Sequence, residues 1–187
     1  MDDVNFYLTK QLDLGGITKY SFIVYKEDAL KLITSIHTNR SIFDIRFVGE
    51  NAYNTFRIES GIPGYPNEIN DSFNPHELNL MDEVNSSKGC YIGQEVIARL
   101  DTYDKVQRKL MAVAFNENGK IELPGTLINS KENEAGEITS ITHSKILDKN
   151  IGLALVRNEY TKEGTILSIV DKNSPSQVSV ISLPIMK

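Results

Sequence analysis

Apolar positions change rhythm part-way along the chain. Residues 20–25 (YSFIVY) form an aromatic and β-branched run of strand length. Ala29, Leu30, Ile33 and Ile36 then fall at helical spacing. Glu27 and Asp28 precede them, where the helix dipole favours acidic residues, so the pattern predicts a helix over 27–37. A second helix is predicted over 50–60, with Ala52, Tyr53 and Phe56 as its apolar stripe and Gly61 and Pro63 as its stop. Residues 61–75 are rich in Gly, Pro and Asn and predict a surface loop, and residues 78–81 fit one helical turn. Beyond residue 105 the texture is different. Six β-rich runs, 109–115, 121–128, 136–142, 151–156, 165–170 and 177–183, are separated by polar turn signals. Close spacing of this kind predicts a small antiparallel barrel or sandwich.

Charge supports a boundary at the same place. Residues 1–104 hold 9 Lys and Arg against 16 Asp and Glu, and residues 105–187 hold 11 against 9. The expected domains are therefore 1–104 and 105–187. The whole chain, 187 residues with a net charge of −5, has no basic stripe beyond Lys105, Arg108 and Lys109. It is a poor candidate for binding duplex nucleic acid, which needs phosphate neutralisation. No apolar run is long enough to span a bilayer, and the opening residues lack a basic, apolar leader. The one cysteine, Cys90, excludes an internal disulfide framework. His37, His76 and His143 have no second ligand at metal-binding spacing. These features point to a reducing cytoplasm.

Residues 88–95, Lys-Gly-Cys-Tyr-Ile-Gly-Gln-Glu, are the most unusual segment. An extended 88–91 places Lys88 and Cys90 on one face and Tyr91 on the other. Gly93 permits a turn, and residues 94–100 can begin a helix. A neighbouring ammonium and a helix N-terminus both favour thiolate, which makes Cys90 a candidate nucleophile with Lys88 as its activator. The alternative is a small buried hydrophobe.

The octapeptide resembles the K-G-C-Y-x-G-Q-E signature of the YgfZ-type folate-binding proteins, relatives of the glycine cleavage T-protein (aminomethyltransferase). Arg57-Ile58-Glu59-Ser60-Gly61-Ile62-Pro63 is similar to the family's R-I-E-x-G-I-P, and residues 74–80 to its P-x-E-x-N-L. Residues 136–140 and 151–154 resemble the family's C-terminal domain. The resemblance implies an α+β fold: the C-terminal part of an aminomethyltransferase-like folate-binding domain, followed by a six-stranded antiparallel β-barrel. It implies tetrahydrofolate as cofactor, with Glu59 facing the amino-pyrimidine edge of a pterin. Arg57 is placed in a structural ion pair or against the 88–95 loop. Tyr91 either stacks on a ring or packs, and Gln94 and Glu95 hold the loop or the ligand. Relatives of this type carry a large region ahead of the part matched here, including an aspartate that acts near the folate nitrogen.

Three functions follow from the resemblance. The first is a folate-binding accessory protein for iron–sulfur cluster assembly or repair, with iron–sulfur proteins or assembly factors as partners and Cys90 as the functional thiol. The second is a tetrahydrofolate-dependent aminomethyltransferase. The third is a non-catalytic half acting with a partner chain, or self-associating through an incomplete domain with an exposed apolar face.

Overall fold

In a computed structural model, residues 4–14, 17–39, 45–85, 87–103, 106–116, 123–170 and 176–185 are described. The chain divides into two compact units, Met1–Glu50 and Asn51–Lys187. The junction expected at 104/105 lies outside the described residues. By contacts, residues 51–103 group with the barrel, so the expected half-domain 1–104 is itself split after Glu50.

The first unit contains an antiparallel hairpin, β1 (Phe6–Leu14) and β2 (Ile17–Val24), followed by α1 (Lys26–Thr38). The sequence reading found β2 and α1 but not β1. Its signal was the Gly15-Gly16 dipeptide between two apolar runs, a short hairpin signature. The stripe expected on α1 is also different. Leu32 is the buried residue, while Leu30 and Ile33 are exposed.

The second unit begins with α2 (Glu50–Ser60), continues through an irregular segment and α3 (Gln94–Tyr103), and ends in the barrel. The strands are β3 (Arg108–Phe115), β4 (Gly125–Ile128), β5 (Glu134–Ser144), β6 (Lys149–Arg157), β7 (Ile166–Ile169) and β8 (Ser176–Ile181). They close in the order β3-β6-β5-β4-β7-β8, with β8 returning to β3 and every pair antiparallel. The six-stranded barrel is therefore as expected. The helical turn expected at 78–81 is replaced by a 3₁₀ turn at Met81–Glu83.

Two apolar clusters explain why the strands differ in pattern. Val113, Phe115, Ile138, Ala154, Val156 and Val180 fill the barrel interior with their neighbours. Leu110, Ala114, Ile151, Leu153 and Leu155 point the other way and pack with Ile58 of α2 and Leu78. Strands β3 and β6 are thus buried on both faces, so their sequences read as continuous apolar runs rather than alternating ones. The outer faces of β4, β7 and most of β8 are only partly covered, with Ile181 of β8 at the margin of the outer cluster, and those strands do alternate.

α2 is steered into this cluster by its C-terminus. Gly61 has φ 74. Its N–H donates to Ile58 O at 3.1 Å, and the Ile62 N–H donates to Arg57 O at 2.7 Å. These are the paired bonds of a Schellman stop, which needs glycine at the left-handed position. The stripe expected on α2 is not the buried one. Tyr53 is 45% exposed, and the buried residues are Arg57, Ile58, Glu59 and Ser60, because the helix meets the barrel with its last turn.

Inside the barrel wall, Gly136 has φ 157, and a Cβ built there would lie 2.2 Å from Leu155 O. Gly136→Ala is expected to destabilise the protein by about 2 kcal/mol or more through overpacking against backbone. Urea unfolding measures it, and a loss below ~0.5 kcal/mol would mean that the β5–β6 register can open to admit a methyl group.

Candidate functional site

The best-ordered polar chemistry lies where α2 and the following loop meet β5. Glu68 is fully buried although it belongs to the segment expected to be surface loop. Its Oε2 accepts from Arg57 Nη1 at 3.0 Å and from the Gly64 N–H at 2.9 Å. Its Oε1 accepts from the hydroxyls of Thr139 and Ser140, the latter at 2.6 Å. Arg57 is satisfied in turn. Nε donates to Asn54 Oδ1 at 2.6 Å, Nη1 also to Ile62 O at 3.3 Å, and Nη2 to Ser140 Oγ at 2.8 Å. Ser140 Oγ also accepts from Asn67 Nδ2 at 3.1 Å. Of the two placements expected for Arg57, the structure shows the ion pair, with Glu68 as its partner.

Glu59, two residues on, faces elsewhere on the helix. It is 6% exposed, so it is not a solvated surface glutamate. Ser144 Oγ donates to its Oε1 at 2.6 Å, and the Leu147 N–H donates to that serine at 3.2 Å. Among the described residues no hydrogen bond engages Glu59 Oε2, and that atom is not sealed from solvent. One carboxylate oxygen is therefore anchored to the barrel, and the other has no hydrogen-bond partner among the described residues.

The 88–95 segment forms a separate, exposed corner. It is not extended as expected. Asn85 Oδ1 accepts from the Ser87 N–H at 2.9 Å and the Lys88 N–H at 3.2 Å, an Asx turn that bends the chain. The bend breaks strand alternation, so Lys88 Nζ lies 4.5 Å from the centroid of the Tyr91 ring instead of opposite it. Lys88 and Cys90 are both exposed, which rejects the buried-hydrophobe reading of the cysteine. Gly93 has φ 91 and its carbonyl accepts the first helical bond of α3, from the Ile97 N–H at 3.1 Å. Gln94 is half-buried and Glu95 exposed at the helix start. His76 Nε2 bonds Ile97 O at 3.1 Å and ties α3 to the segment that runs along β3.

The sequence-predicted residues are thus divided between two places. Arg57 and Glu59 belong to the α2–β5 junction, and Lys88, Cys90, Tyr91, Gln94 and Glu95 to the corner. Among the described residues, no hydrogen bond or ion pair joins the two groups. Two cavities lie nearby. One, of about 480 Å³, is lined by His76, Asn79, Asp82 and Lys109 among others. The other, of about 290 Å³, is lined by Asn67, Phe73, Glu137 and Thr139 among others. Neither is lined by Glu59 or by the 88–95 residues. Glu68, Thr139, Ser140 and Ser144 were missed by sequence reasoning. The signal available for Glu68 was an acidic residue in a glycine-, proline- and asparagine-rich stretch, eleven positions after an arginine.

Comparison with known proteins places the fold. Residues 108–187 match the glycine cleavage T-protein C-terminal barrel domain. The barrel part of this chain is therefore similar to that domain. The chain is 30% identical over 189 residues to the aminomethyltransferase of Thermoanaerobacter pseudethanolicus, covering 95% of this chain and 51% of that protein. It is 29% identical over 191 residues to that of a Geobacillus species, covering 100% of this chain and 52% of the relative. Its fold superposes on glycine cleavage system aminomethyltransferase T from Bartonella henselae with a TM-score of 0.75 at 18% identity, covering 96% of this chain and 49% of the other. The chain spans about half the length of the curated relatives it matches. These relatives favour the transferase reading over the YgfZ-type reading that residues 88–95 led to.

Three outcomes are expected. Glu68→Gln leaves the Arg57 guanidinium buried without its counter-charge and should cost about 3 kcal/mol, measured by urea unfolding. Joint replacement, Arg57→Met with Glu68→Met, should cost less than the two single changes added together. Cys90 should react with iodoacetamide in the native protein. A thiol inert until urea unfolds the chain would place it inside the structure after all.

Proposed function

We propose that the chain is the tetrahydrofolate-holding C-terminal half of an aminomethyltransferase-type fold, with Glu59 as its principal folate contact. The observation that carries this reading is the geometry of Glu59, anchored by Ser144 through one oxygen and without a hydrogen-bond partner among the described residues at the other. The amino-pyrimidine edge of a pterin presents adjacent N–H donors, and a carboxylate accepts them with charge-assisted hydrogen bonds. The names of the relatives, aminomethyltransferase, support one-carbon transfer as the reaction of the complete fold.

This chain's own residues bind and orient rather than turn over. Glu59 fixes one edge of the ligand, and the Arg57–Glu68 network holds α2 rigid against the barrel so that the edge is fixed in place. No residue of the α2–β5 junction is both unengaged and positioned as a second acid or base, so proton transfer falls to groups outside it. Folate affinity of the chain alone is weak, because a chain that spans about half of its relatives' length supplies only part of the pocket.

Titration of the chain with tetrahydrofolate, followed by NMR line shifts, tests the reading. Binding in the millimolar range is expected, and Glu59→Gln should weaken it about tenfold or more, the value of one charge-assisted hydrogen bond. An unchanged affinity in Glu59→Gln removes Glu59 from the site. Micromolar affinity in the chain alone would show that the pocket is self-sufficient.

A second reading, the folate-binding accessory protein for iron–sulfur clusters, is favoured by the gapless match of residues 88–95 to the YgfZ-type signature and by the exposure of Cys90. A single thiol supplies at most one ligand of a cluster site that takes four, so this role needs a client protein. Loss of iron–sulfur enzyme activity in cells carrying Cys90→Ser, with folate binding retained, distinguishes it from the transferase reading.

A further inference from the structure

The cavity of about 290 Å³ between the loop after α2 and the barrel wall takes no part in the folate reading, and its lining is chemically one-sided. Phe73, Leu123 and Pro124 supply apolar surface. Two of its polar side chains are already spent. Asn70 Nδ2 donates to Pro66 O at 2.9 Å and to Asn67 O at 3.1 Å, and its Oδ1 accepts from the Ser72 N–H at 2.8 Å. The Thr139 hydroxyl is committed to Glu68. Glu137 is the exception. It lines the cavity from β5 and is half-buried, yet its carboxylate has no hydrogen bond or ion pair among the described residues. No lysine, arginine or histidine is among the described lining residues. Arg108 lies 5.3 Å from the Phe73 ring centroid, but its charge is already answered by Glu77 at 2.9 Å. Glu68, the carboxylate bonded to Thr139, is compensated by Arg57. Glu137 is thus the one carboxylate of this region left without a counter-charge among the described residues.

A carboxylate that has lost part of its hydration gains from a cation that brings N–H donors. Its backbone is also fixed. Glu137 pairs with Thr126 on β4 and with Leu155 on β6, so it stands on a strand held from both sides. We propose that this cavity binds a small organic ammonium ion, with Glu137 taking the charged group and Phe73 and Leu123 taking an apolar body. An anion would meet Glu137 with no cation to offset it. A bare divalent metal would find one carboxylate where several oxygen ligands are needed. The volume lies at the low end for small-molecule pockets, about 300–1,000 Å³, which suits an amine with one ring or a short alkyl chain. The proposal rests on neither Glu59 nor folate.

The test is a titration of the full 187-residue chain with phenethylammonium, followed by backbone amide NMR shifts without folate. Saturable shifts centred on Asn67, Phe73 and Glu137 are expected, with a Kd of about 1 mM, ordinary for so small a ligand. Glu137→Gln should weaken binding about tenfold or more, the value of one charge-assisted hydrogen bond. Because Glu137 bonds to no other described side chain, the variant should keep the folded spectrum elsewhere. Phenethyl alcohol, which is neutral, and phenylacetate, which is anionic, should each bind about tenfold more weakly or not at all. Four results overturn the proposal: no saturable shift, shifts centred away from the cavity, equal affinity for the alcohol or the acid, or an unchanged affinity in Glu137→Gln.

Discussion

The buried pair of Arg57 and Glu68 is the constraint on which the second unit depends. Burying two charges costs several kcal/mol each, and attraction alone does not repay this unless the remaining lone pairs and protons are also used. Here they are used. Glu68 accepts from a guanidinium, a backbone N–H and two hydroxyls, and Arg57 reaches a side-chain amide, a carbonyl and a serine besides. Because the partners come from α2, the following loop and β5, the pair can be satisfied in only one arrangement of those elements. Its value is therefore as much positional as energetic. It places the last turn of α2 against the barrel wall, and Ile58 enters the apolar cluster there.

Packing then follows from that placement. A closed barrel of six strands has its own interior, and the outer faces of its strands would ordinarily be wet. Leu110, Leu153 and Leu155 face outward and are nevertheless buried, because Ile58, Leu78 and the neighbouring Phe73 and Leu183 cover them. The cover is fastened at its edges by polar contacts. Glu77 accepts from Arg108 at 2.9 Å through its side chain and from the Leu110 N–H at 2.7 Å through its carbonyl. The Ile185 N–H donates to Glu59 O at 2.8 Å, so the segment after β8 is tied to the end of α2. The helix, the loop and the strands behave as one packed layer over β3 and β6.

Much of this architecture is legible in the sequence. The six strands announce themselves because turn residues punctuate them, and α2 announces its end because Gly61 and Pro63 do. What a one-dimensional pattern does not carry is which face meets which. Ala52, Tyr53 and Phe56 look like the core stripe of α2, because periodicity assumes that a helix lies along its support. α2 instead meets the barrel with its C-terminal turn, which inverts the assignment. Glu68 was hidden for a related reason: a glycine- and asparagine-rich loop reads as surface, and the arginine that makes its burial tolerable is eleven residues away in sequence. At residues 88–91 the error was local. An Asx turn begun by Asn85 overrides strand alternation, and a short polar side chain that captures backbone N–H groups is easily read as loop filler.

The two candidate regions differ in the way that binding and reactive groups generally should. A carboxylate proposed to hold one ligand edge needs a fixed position, and Glu59 sits on a helix placed by a buried ion pair, with one of its own oxygens held by Ser144. A tilt of α2 that moved the carboxylate would also disturb the Arg57–Glu68 bonds. Cys90 has the opposite setting. It is exposed, on a corner held by an Asx turn, a lysine over a tyrosine ring and the glycine start of α3. The cation–aromatic contact is worth about 0.5–1 kcal/mol at such an exposed site, far below the cost of disrupting the buried network. A group held this lightly is poorly suited to orienting a small ligand and well suited to being reached by another macromolecule. The folate reading therefore draws its support from the α2–β5 junction, and any role in thiol chemistry belongs to a corner that is structurally independent of it.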